Sequence, residues 1–265
     1  MNELCLLSLL TALTFGFSSS GFYKFVYFFS VGYGISITGI GITLFFIFKN
    51  SLTLWTTIIC ILFIIYGIRL SGYLIIREIQ SSAYRNILNA ATKNDEPIKE
   101  KIIVWIACTL LYICMTAPET FRLNNQAPDD IMVAIGAIIG CCGFIIEVIA
   151  DYQKSQVKKK DPKMFASTGL YQYVRCPNYF GELVLWFGIF ISGINIYRSI
   201  LQWIIVIFGL TNIVFVMFSG ARRLELRQDK VYGENPKYQK YKSSTPIIIP
   251  CVPIYSVKKY EWLIA

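Results

Sequence analysis

DYQKSQVKKKDPKMFASTGLYQYVRCPNYFGELVLWFGIFISGINIYRSILQ, residues 151–202, leaves one apolar run, crosses a basic, turn-rich segment and enters a second apolar run. This alternation is the pattern of a chain that crosses a bilayer and turns at its surface. Within the second run Asn178 and Glu182 stand four residues apart, a spacing that puts them on one helix face. Glu182 falls about one turn inside apolar sequence. A carboxylate there is costly unless something holds it, which marks it as a candidate site residue.

The rest of the chain agrees with this reading. Of 265 residues, 55% are hydrophobic and 15% charged; a soluble domain carries about a quarter charged residues. Length and hydropathy predict an all-α polytopic membrane protein of six or seven transmembrane helices, each needing roughly 20 residues. The formal net charge is +9, but with no soluble basic domain to carry it, nucleic acid is not expected as a partner. The chain has no histidine. That removes histidine acid–base chemistry and imidazole zinc sites, and no metal is expected. The eight cysteines form no C-x-x-C pair and mostly lie in apolar runs, as small buried hydrophobes do.

The spans read in order as 4–17, 25–48, 52–76, 102–117, 131–150, 179–196 and 200–219. The first is short and followed by small residues, so a signal peptide is its alternative; Glu3 and the absence of an early Lys or Arg favour a span. The glycines of the second and fifth runs fit close helix packing. Pro118 is expected to close the fourth span, with 120–130 a polar loop. Residues 81–101 read as a loop able to carry a surface helix, and the chain from Gly220 as a polar tail. Of the 25 Lys and Arg, all but Lys49, Arg69, Arg122 and Arg198 then fall on one side of the membrane. The positive-inside rule predicts that this side, with the C-terminus, is cytoplasmic.

Three polar clusters border or enter the membrane. Tyr66, Arg69, Tyr73 and Arg77 share one stripe of the third span, with Arg69 about 12 Å deeper than Arg77 by helix rise. Glu147 and Asp151 lie four apart near the end of the fifth and repel each other. Asp151 is expected at a helix C-terminus, where the dipole disfavours an anion; Arg69 and Arg175 are candidate counter-charges. Arg175, Asn178 and Glu182 form the third cluster, around a helix that Pro177 would start. Such a helix N-terminus can receive an anion such as a pyrophosphate, and the two side chains can hold an amide or a ribose. The run Lys158-Lys159-Lys160 is positive-inside signal or a lipid-facing patch that can also draw in a polyphosphate.

At these residues a resemblance appears. The strings ADYQKSQVKKK and TGLYQYVRCPNYFGELVLWFGIF, the tail LELRQDKVYGENPKYQKYKSSTPIIIP and the earlier RLSGYLIIRE are similar to the steroid 5-alpha-reductase C-terminal domain family, in its bacterial-type membrane branch of unknown function. The similarity covers roughly residues 66–250. It implies a bundle like those of the steroid reductases and isoprenylcysteine methyltransferases. Residues 1–50 would be N-terminal transmembrane helices and 51–265 the family's membrane domain with its cytoplasmic tail. It also implies an integral protein of a bacterial inner membrane or the endoplasmic reticulum. NADPH would be the cofactor, and an enone-bearing lipid drawn from the bilayer the substrate.

Carried over by position, Asp151, Lys158, Asn178 and Glu182 match cofactor-contacting places, and Arg77, Arg175 and Tyr179 are grouped with them. Tyr66 and Arg69 match a Tyr-x-x-Arg pair whose tyrosine polarises the substrate carbonyl. Two positions depart from the family. Cys176 stands where a histidine is usual. The glutamate that steroid reductases carry in an early span has no counterpart, Glu3 being the only acid before Glu78. Two alternatives stay open: a membrane methyltransferase using S-adenosylmethionine, which shares an R-H-P-x-Y-x-G segment, and a non-catalytic lipid-binding protein.

Overall fold

A computed structural model describes residues 2–80, 85 and 97–263. Among them the regular structure is entirely helical. The helices are α1 (Glu3–Ser18), α2 (Val31–Ile47), α3 (Leu54–Gln80), α4 (Ile98–Asn124), α5 (Ile131–Lys160), α6 (Pro177–Ser192), α7 (Ile200–Tyr232) and α8 (Pro236–Ser244). Short 3-10 turns precede α2 and α6. Among the described residues six segments are long and apolar enough to cross a bilayer: 3–22, 25–47, and helices α3, α4, α5 and α7. The protein is a polytopic helical membrane protein. α6 is apolar but has only 16 residues.

Local sequence sets the helix starts. The Asn2 side chain caps α1 through the Leu4 N–H. Asp130 caps α5 through Met132 and Val133, and the Ser199 hydroxyl accepts from Gln202 at the start of α7. Pro177 is the first residue of α6, where its missing N–H costs nothing.

Several segments differ from the sequence expectation. Pro118 does not end α4, which runs on to Asn124. A proline leaves the carbonyl four residues back without its helical partner, here that of Cys114. That carbonyl lies against Gly209, where a Cβ would stand 2.7 Å from the oxygen. The freed group therefore meets a Cα–H rather than hydrocarbon. Residues 120–124, expected in a loop, are helical. The basic run Lys158–Lys160 is the last turn of α5, not a turn-rich segment, so Asp151 lies nine residues before the helix end. The dipole objection to an anion there falls away, since that effect is confined to the last turn. α7 continues to Tyr232, past the point at Gly220 where its apolar run stops; at 33 residues it is about 50 Å long. The expected loop over 81–101 lies mostly outside the described residues, and α4 begins by Ile98.

The chain forms two compact units, one of residues 1–137 with 189–210, the other of 138–188 with 211–265. In the first, α1 packs on α2 and α4, burying Leu6, Leu10, Ile40, Leu44, Cys60 and Ile113 together. Ser18 and Thr109 share a buried hydroxyl hydrogen bond of 3.1 Å. α2 and α3 touch backbone to backbone: a Cβ on Gly34 would stand 2.7 Å from the Gly67 carbonyl oxygen. In the second unit α5 and α6 meet in the same way. A Cβ on Gly181 would stand 2.7 Å from both the Gly143 oxygen and the Glu147 nitrogen. The core beside that crossing joins Cys176, Ala221 and Leu224 to Ile247, Ile248, Val257 and Leu263 of the tail.

Candidate functional site

In the second unit the Gly143–Gly181 crossing sets the polar groups. α5 and α6 run antiparallel there, since Gly143 faces Gly181 and Leu185 while Gly181 faces Gly143 and Glu147. The pairing brings Asp151, one turn beyond Glu147, level with the first turn of α6, which holds Asn178. Glu147 and Glu182 are both buried, at 4% and 7% exposure, whereas Asp151, Asn178 and Tyr179 are half-buried. The spacing of the two glycines thus collects three carboxylates and an amide within about two turns of one helix pair.

α7 adds cations. Gly220 backs onto the Tyr179 ring, with 3.4 Å to a Cβ placed there. Arg223 and Arg227, four apart on that helix and both exposed, lie within electrostatic reach of the Tyr179 hydroxyl. The sequence reading placed both arginines in an undifferentiated basic tail. The helical continuation of α7 is what aligns them with Tyr179.

Arg175 and Lys158 are engaged within the unit itself. The Arg175 guanidinium is buried, pairs with Glu225 at 3.1 Å and donates to the Tyr255 carbonyl. Glu225, only 1% exposed, also receives Lys242 at 3.4 Å and the Val257 N–H at 2.9 Å. Breaking such a pair by removing one partner costs about 3–5 kcal/mol. The backbone N–H groups of Arg175 and Cys176 donate to the Pro246 and Ile247 carbonyls. The R-C-P-N segment and the T-P-I-I-I-P tail, distant in sequence, are therefore one structure. Lys158 donates to the Pro162 carbonyl at 2.8 Å and to the Tyr232 hydroxyl at 2.7 Å.

One turn beyond Glu225, Asp229 accepts from Lys242 at 2.7 Å and from the Tyr238 hydroxyl at 3.2 Å. Burial, with the Asp229 carboxylate close by, pushes the Tyr238 hydroxyl well above the usual phenol range, so it stays a donor. Phe165 stacks on Tyr241 and meets Tyr238 edge-on.

In the first unit the α2–α3 crossing sets a different chemistry. Tyr33 and Tyr66, each beside its crossing glycine, point at one another, and the Tyr66 hydroxyl donates to that of Tyr33 at 3.1 Å. Tyr66 is fully buried. Tyr33 stacks on Tyr112 at 4.8 Å, and the Tyr112 hydroxyl donates to the Phe28 carbonyl. Arg69 is half-buried, its guanidinium carbon 5.9 Å from the Tyr73 ring centre. Arg77 is half-buried in the last turn of α3. Glu78, two residues past the expected end of the third span, is buried, pairs with Lys24 and accepts from Tyr27 at 2.7 Å.

Arg122, expected on a solvated loop, is fully buried. It donates twice to the Ser192 carbonyl at 3.0 and 2.8 Å, to the Pro128 carbonyl at 2.9 Å and to Asp130 at 2.9 Å. Glu119, one helical turn earlier, is also fully buried; Cys60 donates to one oxygen at 3.9 Å and the other has no hydrogen bond. Neither residue was legible as an interior one beside a proline. Among the described residues no three His, Cys, Asp or Glu side chains are grouped as a metal would need.

A family model described as a protein of unknown function, DUF1295, matches residues 20–245. The chain belongs to that family, and the match takes in both the tyrosine crossing and the carboxylate crossing. No curated protein and no solved structure matches the chain.

Proposed function

We propose that this protein is a membrane-embedded, NADPH-dependent reductase of a conjugated carbon–carbon double bond in a lipid, with the nucleotide held by the second unit. The observation that carries this reading is the pair of buried acids, Glu147 and Glu182, at a glycine crossing within apolar helices. Ionisable side chains inside a span are rare and costly, and are by default candidates for a functional site. The side chains present fit the cofactor's chemistry. Glu182, Asn178 and Asp151 supply acceptors and an amide for ribose hydroxyls and a carboxamide. Arg223 and Arg227, exposed beside Tyr179, supply the charge that phosphates require. Arg175 and Lys158 are held in the same unit by Glu225 and the Tyr232 hydroxyl.

NADPH supplies a hydride when bound. The protein's part is to hold the nucleotide among these groups and keep water away. Tyr66 polarises the substrate carbonyl or gives it a proton, biased by Arg69. In the resting chain, which lacks an early-span glutamate, the single Tyr66 proton goes to Tyr33; with substrate bound that proton turns to the carbonyl and Tyr33 donates to Tyr66 in its place. The inner membrane of a bacterium or the endoplasmic reticulum, with the tail in the cytoplasm, is the setting this reading requires.

Thermal stability of the detergent-purified chain tests it. Saturable stabilisation by NADPH and not by S-adenosylmethionine is the expected result. The reverse would make the protein a methyltransferase, and a response to neither would leave a lipid-binding protein without cofactor.

A further inference from the structure

The first unit carries a cavity of about 330 Å³ lined by Asn125, Gln126, Pro128, Asp130, Asn195 and Arg198 among others. It lies where α4 ends and α5 begins and where α6 ends and α7 begins. Thr53, just before α3, donates to Asp129 at 2.5 Å at the same level. Tyr66 lies 13 residues further along, about 20 Å away by helix rise, so this cavity is separate from the tyrosine crossing.

Its lining is rich in donors. The Asp130 carboxylate is already spent on Arg122, Met132 and Val133. The Arg198 side chain is exposed and makes no hydrogen bond or ion pair among the described residues, while its backbone N–H is fixed by Gln202 at 2.7 Å. Asn125 and Asn195 add neutral amides, and Asn125 donates to the Ile196 carbonyl at 3.3 Å. A pocket with one unspent guanidinium, amides and a neutralised carboxylate takes an anion with several acceptor oxygens.

The surroundings are those of a bilayer interface. Tyr197 and Trp203 meet edge-on at 4.8 Å beside the pocket, in the manner of the aromatic residues that sit at head-group level. Ile131, Ile200, Leu201 and Ile204, at the starts of the two helices that leave the pocket, are exposed and offer a path for acyl chains. We infer that this cavity binds the phosphodiester head group of a bilayer phospholipid, with Arg198 as its charged contact.

The test uses the full chain in detergent and a short-chain phosphatidylglycerol as probe, with thermal stabilisation as the readout and inorganic phosphate as the comparison. The parent should be stabilised saturably by the lipid and not by phosphate at the same concentration. Arg198→Ala should weaken the lipid's apparent affinity about tenfold, the effect of losing one charge-assisted contact. Ala127→Leu, which fills the cavity, should weaken it without touching a charge, and Lys49→Ala, an exposed cation elsewhere in the unit, should leave it unchanged. Equal lipid affinity in the parent and Arg198→Ala would overturn the inference. So would an equal response to phosphate, which would make the pocket a site for the free ion.

Discussion

Two helix crossings of one construction carry opposite chemistry. At α2–α3, glycines 34 and 67 let the backbones touch, and the residues beside them are phenols, Tyr33 and Tyr66. At α5–α6, glycines 143 and 181 do the same, and the groups nearby are carboxylates, Glu147 and Glu182. Close approach comes from the missing Cβ in both cases. What differs is the polar residue near each glycine: a phenol beside each of Gly34 and Gly67, a carboxyl beside Gly181 and another one helical turn from Gly143. The two phenols meet through one hydrogen bond, whereas carboxyl groups buried in an apolar span are costly and mark a candidate site.

The largest effect that would break this comparison comes from Arg122→Ala. It strips three carbonyl contacts and the Asp130 ion pair from a buried site, and should cost about 3–5 kcal/mol, read as a steep fall of the thermal midpoint in detergent. Arg122→Lys should not restore it, because one ammonium cannot span Ser192, Pro128 and Asp130.

Next come the crossings themselves. Gly143→Ala and Gly67→Ala each drive a methyl into the facing backbone, and overpacking of this kind costs about 1–3 kcal/mol. Both variants should lose stability, but only Gly143→Ala should also weaken NADPH-induced stabilisation. Equal weakening by both would erase the distinction between a binding crossing and a phenol crossing.

Finer substitutions keep the backbone intact. Asn178→Ala and Glu182→Gln should reduce NADPH affinity about tenfold each, as the loss of a buried hydrogen bond does; parent-like titration curves would unseat the second unit as the nucleotide site. Tyr66→Phe should leave that titration unchanged and lower turnover.

The smallest effect is one of pH. Burial acts to raise the Asp130 carboxyl, but the Arg122 guanidinium and the N–H groups of Val133 and Met132 outweigh it and hold the group below the usual carboxylate range. A depressed folded value stabilises above the unfolded value, and that contribution is lost as pH falls through the folded one. The parent's thermal midpoint should therefore decline below the ordinary carboxylate range. Asp130→Asn should remove that part of the decline.

The apolar helices and the packing role of the glycines were legible from hydropathy and spacing, because both follow from local composition. The joining of the R-C-P-N segment to the T-P-I-I-I-P tail was visible only as co-occurrence of two motifs. The hydrogen bonds from Arg175 and Cys176 to Pro246 and Ile247 give it a physical form. Pro118, Glu119 and Arg122 look like a loop when read as P-E-T-F-R, yet Arg122 finds its acceptors some 70 residues later, at Ser192. The extensions of α5 and α7 were missed because the apolar runs stop before the helices do. Arg223 and Arg227 were hidden with them, their register on Tyr179 being a property of the continued helix.

The lashing of α6 to the tail has a consequence for biosynthesis. The ribosome releases α6 with its Arg175 long before residues 246–257 emerge from the exit tunnel, and contacts so distant along the chain form late. Until they arrive, that guanidinium lacks the Tyr255 carbonyl, and Glu225 lacks the Val257 amide. This unit therefore closes only after residues 246–257 have been made, and a nascent chain stalled short of Tyr255 presents an unfinished one to quality control.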